Sequence, residues 1–389
     1  MPTPMVESPA PVIVDPIPPA GRKVLVVLVW ITAIIGLITV IASAFFAASA
    51  PGATIALTYT LIPLPLLFWL YWWIDRVEPE PFRYKAAAFV WGAVIAVLLS
   101  LGLESLVSFA GVSENLQIAL FAPIIEEAAK GLFVILTLIR ARRIIRGVID
   151  GILVAGLVAL GFASVENVVY YGASYIGIDT GEVDFSGVEA ATATFVLRGV
   201  MSPLAHPLFT SAIGIAVGLF AAHRSGALRW FAYFLGYVVS VGLHAFWNGS
   251  IVLAGGVGFL VVYVTLALVL VGFLIAILIL RGRELKVLKS SLEDMSRAGW
   301  LHPAEVPYLV SFSSRKVARN YAAQFGPHAK KAMAQYQTAA TEAAFMYYGS
   351  VTGKGPKQSH EYTYGLLEQM WRTRPWLRFP PQLAPVYWT

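Results

Sequence analysis

Eight stretches of this chain stay apolar for close to the ~20 residues that a helix needs to cross a bilayer: 24–50, 53–74, 84–111, 116–139, 147–176, 190–222, 228–252 and 257–280. No other feature constrains the fold as strongly. Hydrocarbon offers no partner to a backbone N–H or C=O, so each stretch must satisfy its own hydrogen bonds as a helix. An all-α, polytopic membrane bundle of about eight transmembrane helices follows. The composition agrees, with 58% hydrophobic and 13% charged residues where soluble proteins have about 45–50% and about 25%. Cysteine is absent, which excludes disulfides and thiolate metal sites.

Orientation can be read independently from Lys and Arg, which concentrate in cytoplasmic connections. Starting from Arg22 and Lys23, alternate connections carry Arg76, Arg83 and Lys85, then Arg140, Arg142, Arg143 and Arg146, then Arg224 and Arg229, then Arg281 and Arg283. The intervening ones carry none, and one is acidic through Asp179, Glu182, Asp184 and Glu189. A multi-pass protein of the cell membrane with both termini cytoplasmic is expected.

Three regions are expected. Residues 1–22 are proline-rich and read as a disordered arm. Residues 23–281 form the transmembrane domain. Residues 282–389 read as a cytoplasmic basic helical region, with helix-like segments at 284–298, 315–347 and 360–373. From Arg281 onward there are 15 Lys and Arg against 7 Asp and Glu, a surplus suited to anionic lipid headgroups. The lipid bilayer is the expected surroundings, and no nucleic-acid partner is expected.

Ionisable groups inside such helices are costly unless they pair or line a wet cavity, so they mark candidate sites. The stretch Ala122–Lys130 sets Glu126, Glu127 and Lys130 in an apolar run. The next three helices add Phe162, Glu166 and Asn167, then His206 and Thr210 between Pro203 and Pro207, then His244 and Asn248. Spacings of one, three or four residues put the members of each group on one helix face. Prolines beside His206 predict a kink. At 1.5 Å rise per residue, Glu126, Glu166 and His244 lie roughly 12–15 Å below the outer surface, and His206 roughly 23 Å.

This chemistry leaves two routes open. A glutamate can act as general base on a buried water while a second group steadies the oxyanion. Alternatively Glu166, His206 and His244 supply the two-imidazole, one-carboxylate set of a catalytic zinc site, making Zn2+ the expected cofactor. Lys130 is expected to serve Glu126 or Glu127 as an ion pair, and Arg198 to answer a loop carboxylate. Asp150 beside Arg146 reads as an exposed pair of little energetic weight. A secondary transporter or proton-coupled channel would use the same Glu, His and Lys types. It predicts corresponding halves with interrupted helices, and no second Glu-Glu is visible.

The order Glu-Glu-x-x-Lys, Phe-x-x-x-Glu-Asn, His-x-x-x-Thr and His-x-x-x-Asn on four successive helices resembles the PrsW family of intramembrane proteases. More distantly it looks like the CAAX prenyl endopeptidase and bacteriocin-processing superfamily. The likeness covers about 116–250. It implies an intramembrane (metallo)endopeptidase in which Glu126 corresponds to the catalytic glutamate. Glu127 and Lys130 then correspond to its supporting pair, and His244 with Asn248 to the last motif. Glu166 stands where the prenyl endopeptidases have histidine. The implied substrate is a membrane-anchored protein or peptide, of the anti-sigma factor type in bacteria.

Overall fold

The computed structural model describes residues 19–141, 144–178, 186–221, 225–253, 255–353 and 359–381. Most of the expected N-terminal arm, Arg142, Arg143, Arg224 and the acidic run from Asp179 to Asp184 lie outside the described residues. All regular structure among the described residues is helical. The chain divides at Leu278 into two compact units.

Within Ile17–Leu278 the helices are α1 (Pro19–Leu61), α2 (Leu64–Ile74), α3 (Phe82–Val90), α4 (Val97–Phe109), α5 (Glu114–Leu116), α6 (Ala122–Arg140), α7 (Val148–Ile176), α8 (Val188–Phe195), α9 (Ala205–Phe220), α10 (Gly226–Leu253) and the first part of α11 (Gly255–Arg297). Among the described residues, six segments are long and apolar enough to cross a membrane: Ser49–Ile74, Phe82–Phe109, Val148–Ile176, Val188–Phe220, Gly226–Val252 and Gly256–Arg297. This is two fewer than expected. The fourth expected stretch is the 19-residue α6, whose Glu126, Glu127, Lys130 and Arg140 make it too polar to count on composition. The first forms the N-terminal part of α1, which breaks at Ser49 (φ 62°), two residues before Pro51.

Helix α7 is the axis of this unit. Its residues from Ile149 to Ala163 are buried without interruption, and it packs on α1, α3 and α9. Glycine permits this closeness. A Cβ on Gly151 would lie 2.0 Å from the Gly214 carbonyl oxygen, and one on Gly161 would lie 2.0 Å from that of Phe89. Lipid-buried helices associate through such small-residue contacts, because burying apolar surface gains little in lipid.

Among the described residues, three π-helical segments interrupt the bundle, at Trp91–Ala96, Gln117–Phe121 and Val196–Met201. Such single-turn bulges redirect side chains and recur at functional sites. The expected kink near His206 is present. The chain leaves the third π segment at Ser202 (φ −129°) and begins α9 at Ala205.

Asp150 is not an exposed partner of the Arg146 side chain. It is buried and caps α7, accepting from the Arg146 and Gly147 backbone amides at 2.9 and 3.1 Å. The Arg146 guanidinium reaches Glu78 and, at 2.6 Å, Glu80. Burial pushes the Glu80 carboxyl up to about 8, with Asp150 and Asp75 adding to the effect and Arg146 opposing it. Asp75 is also raised by burial. It accepts from the Glu80 amide at 2.9 Å and pairs with Lys85.

The second unit, from Ile279 onward, contains the end of α11, then α12 (Pro307–Val310), α13 (Phe312–Ala323), α14 (Pro327–Val351) and α15 (Ser359–Thr373). The single helix expected over 315–347 is two helices. Gly326 takes φ 102° and Pro327 starts the next helix, a stop and start that Phe-Gly-Pro encodes. An alanine face of α14 fills the core with Met333, Tyr336 and Met370. Buried Arg315 donates to the Leu309 carbonyl (2.6 Å) and to Thr341 (2.7 Å). Burial, helped by Arg319, lowers Arg315 to about 10.

Candidate active site in the membrane unit

The polar groups that the sequence distributes over α6, α7, α9 and α10 meet in one chamber. Helix α6 begins with Pro123 in its first turn, and its buried stripe runs Pro123, Glu126, Glu127, Lys130, Val134, Thr137. The stripe follows the helical repeat, so a single face carries both carboxylates and the ammonium inward. Lys130 is fully enclosed. Its Nζ donates to Glu126 Oε2 and to Glu127 Oε1, each at 2.9 Å, and lies 3.2 Å from His206 Nδ1. The same ammonium sits 3.8 Å from the centre of the Phe162 ring. That contact gives the aromatic at 162 a function beyond packing.

Glu127 is the most heavily bonded carboxylate. Oε2 accepts from Thr210 Oγ1 (2.7 Å) and Ser240 Oγ (2.6 Å), and Oε1 lies 3.0 Å from His244 Nδ1. Because Glu127 accepts from Nδ1, the neutral tautomer of His244 turns its Nε2 lone pair toward Glu126 Oε2, 3.9 Å away. A parallel arm holds the other imidazole. His206 Nε2 lies 2.7 Å from Glu166 Oε2, and the same oxygen accepts from Arg198 at 2.6 Å. Arg198 Nε also donates to Asn167 Oδ1 at 2.8 Å. The two rings lie 5.0 Å apart and nearly perpendicular. The level difference counted from sequence does not exist, because the break at 202–204 displaces His206 from the straight-helix count.

One ligating atom from each of Glu126, His206 and His244 lies within 4.8 Å of the others. Two imidazoles with one carboxylate form a known zinc donor set. Each ring is also anchored through its other nitrogen by a carboxylate, as ligating histidines generally are. These residues fit a divalent ion. The trio differs by one member from Glu166, His206 and His244, since Glu166 lies behind His206 beside Arg198.

Asn248 is placed elsewhere. Its Nδ2 donates to the Ile118 carbonyl at 3.1 Å, on the π segment before α6. In π geometry the N–H of residue 123 would fill that carbonyl, and proline has no N–H. Asn248 therefore satisfies the acceptor that Pro123 leaves open, tying α10 to the start of α6. Trp91 Nε1 and Tyr237 Oη make similar ties to the Ala129 and Ile124 carbonyls.

Two residues of the chamber were not expected there. Arg198, on the π segment Val196–Met201, pairs with Glu166, while the acidic run Asp179–Asp184 lies outside the described residues. Ser240 precedes His244 by four residues, a same-face signal that a serine hydroxyl alone is too common to announce.

Fold and comparisons together define an intramembrane protease of many spans. A model of a family described as "PrsW family intramembrane metalloprotease" matches residues 80–277, just over half the chain. A relative named "Protease PrsW", from Clostridioides difficile (strain 630), is 27% identical over 193 residues, covering 48% of this chain and 75% of the relative. No solved structure matches. The chain belongs to the PrsW family. These comparisons favour the protease over the transporter.

Proposed function

We propose that the chain hydrolyses a peptide bond of a membrane-anchored protein within the bilayer, with Glu126 as the base that activates water. The observation that carries this reading is the 3.9 Å between Glu126 Oε2 and His244 Nε2, beside Glu127 and Glu166, each of which is committed to an imidazole. Two polar atoms at that separation suit one bridging water. Both atoms accept hydrogen bonds, so such a water directs its two protons to them and its lone pairs away, toward a substrate carbonyl. Glu126 takes one proton as the water oxygen bonds to the carbonyl carbon. Lys130 supplies positive charge for the oxygen that becomes negative. Glu126 then returns the proton to the departing amine nitrogen as the C–N bond breaks.

Glu127 holds His244 in the tautomer this step needs, and Glu166 with Arg198 does the same for His206. Asn248 acts as a positioning residue through Ile118. Zinc fits Glu126, His206 and His244, and when bound there it would polarise the carbonyl and acidify the water. Glu166 is then an orienting carboxylate and not a ligand. The motif likeness to the prenyl endopeptidases supports the same chemistry. The arginine-bearing connections support cytoplasmic termini and a cytoplasmic basic region after residue 281. An anti-sigma factor is the substrate type that the family resemblance suggests.

The test compares membrane proteomes of cells carrying the unaltered protein and Glu126→Gln. A membrane-anchored protein that persists uncut in the variant supports the reading, and the purified pair should reproduce the cleavage. Full cleavage by Glu126→Gln, His206→Ala and His244→Ala would overturn it.

A further inference from the structure

The Lys130 ammonium has three protons and three acceptors: Glu126 Oε2 at 2.9 Å, Glu127 Oε1 at 2.9 Å and His206 Nδ1 at 3.2 Å. An ammonium only donates, so His206 Nδ1 must be the acceptor in that contact. Its proton is then on Nε2, the nitrogen that faces Glu166. Each neutral imidazole has one lone pair. If His206 Nδ1 gives its lone pair to Lys130, it has none for a metal. The other nitrogen is held by Glu166, so the ring cannot offer that one without releasing the carboxylate.

Glu126 Oε2 is also shared between the ammonium and the donor trio. An ion bonded at about 2.0–2.2 Å to both Glu126 and His206 Nδ1 would stand roughly 4 Å or less from an unmoved ammonium. Two cations cannot both use these atoms at that range. The ring of Phe162 further steadies the ammonium where it is.

From this geometry we infer that Lys130 is a displaceable built-in cation, which competes with a divalent metal ion for His206 and Glu126 and so weakens metal binding by the unaltered chain. The inference rests on reading Glu126, His206 and His244 as the metal-donor set. It makes Lys130 a regulator of metal occupancy as well as a charge partner of the two glutamates. Removing the ammonium frees the His206 lone pair and leaves two enclosed carboxylates that a divalent ion would satisfy.

The test is zinc binding by the full chain in detergent, measured by competition with a chromophoric chelator and by thermal unfolding with and without zinc, in the absence of any substrate. Lys130→Met is expected to bind zinc at least tenfold more tightly than the unaltered protein. It should melt at lower temperature without zinc and recover with it, whereas the unaltered protein shifts little. Lys130→Gln, which keeps a polar but uncharged group, should behave likewise and serves if the methionine variant cannot be purified. Added His206→Ala should abolish the gain. Equal or weaker binding by both Lys130 variants overturns the competition while leaving the donor set intact. Absence of zinc binding in every form overturns it together with the donor set, yet leaves the metal-free hydrolysis by Glu126 standing. A zinc-bound structure of the unaltered chain with Lys130 Nζ still on both Glu126 and His206 would also overturn it.

Discussion

Two clusters in the membrane unit share one charge plan and differ in what they can do. Around Lys130 stand Glu126 and Glu127, and around Arg146 stand Glu78 and Glu80, with Asp150 capping α7 beside them. In both, carboxylates gather on a single cation. The Arg146 cluster fastens the 75–85 segment to the start of α7 through carboxylates, cations and backbone amides. The Lys130 cluster adds two imidazoles, each held by a carboxylate on one nitrogen and presenting the other to the centre. Clustered charge alone is therefore no sign of chemistry. An acceptor left unshared, beside a carboxylate able to take a proton, is the better sign.

The largest expected effect separates the two clusters directly. Glu126→Gln keeps an acceptor for Lys130 but loses the base, so cleavage should fall about 10²–10⁴-fold with the unfolding temperature nearly unchanged. Cleavage rate and thermal unfolding measured on one preparation check this. A variant that melts early but cleaves normally per folded molecule would place Glu126 with the fasteners.

Arg146→Met should do the reverse. It removes a hydrogen-bond donor from Glu80, whose side chain is only 3% exposed, and the ion-pair partner of Glu78, while Arg146 itself is 20% exposed. The loss should be on the order of 2–3 kcal/mol, below the ~3–5 of a fully buried pair because solvent already screens part of the guanidinium. The rate per folded molecule should hold. Denaturation of the variant in detergent, with activity normalised to the folded fraction, measures both.

The Arg146 cluster also predicts a pH effect. Glu80 has a carboxyl pushed up to about 8 by burial, above the ~4.3 of an unfolded glutamate. Between those values the folded chain holds more proton than the unfolded one. Stability is therefore greater at the acid end of that window and falls as pH rises through it. The contribution of one group cannot exceed about 1.4 kcal/mol per pH unit. Glu80→Gln should flatten that part of the profile. An unchanged slope would show that Glu80 ionises normally.

How legible was this in the sequence? Helical spans and the four polar faces follow from periodicity and from the cost of charge in hydrocarbon, and Glu126, Glu127, Lys130, His206 and His244 do converge. What sequence spacing could not carry was direction around a π bulge. Arg198 and the level of His206 depend on the segment Val196–Met201 and the break after it, which reset the helical count. The i, i+4 spacing groups Asn248 with His244, yet its partner is a carbonyl freed by a proline on another helix. In the second unit, Gly326-Pro327 marks a helix boundary that helix-forming residues on both sides obscure.

The smallest expected effect tests whether the Lys130 cluster is held by neutral donors as well as by charge. Ser240 and Thr210 both donate to Glu127 Oε2, from α10 and α9, and both are fully buried. Hydrogen bonds between membrane helices average about 0.6 kcal/mol, so Ser240→Ala or Thr210→Ala alone should lower stability by about that much. The remaining hydroxyl still serves the oxygen. The double variant leaves that oxygen with neither hydroxyl, and an enclosed charged acceptor without donors costs more than two average bonds. Its loss should therefore exceed the sum of the singles. A double-mutant cycle on unfolding free energy, run beside cleavage rates, reads this coupling. Additive losses with unchanged cleavage would mean that Lys130 and His244 alone fix Glu127, and that the two hydroxyls only join helices.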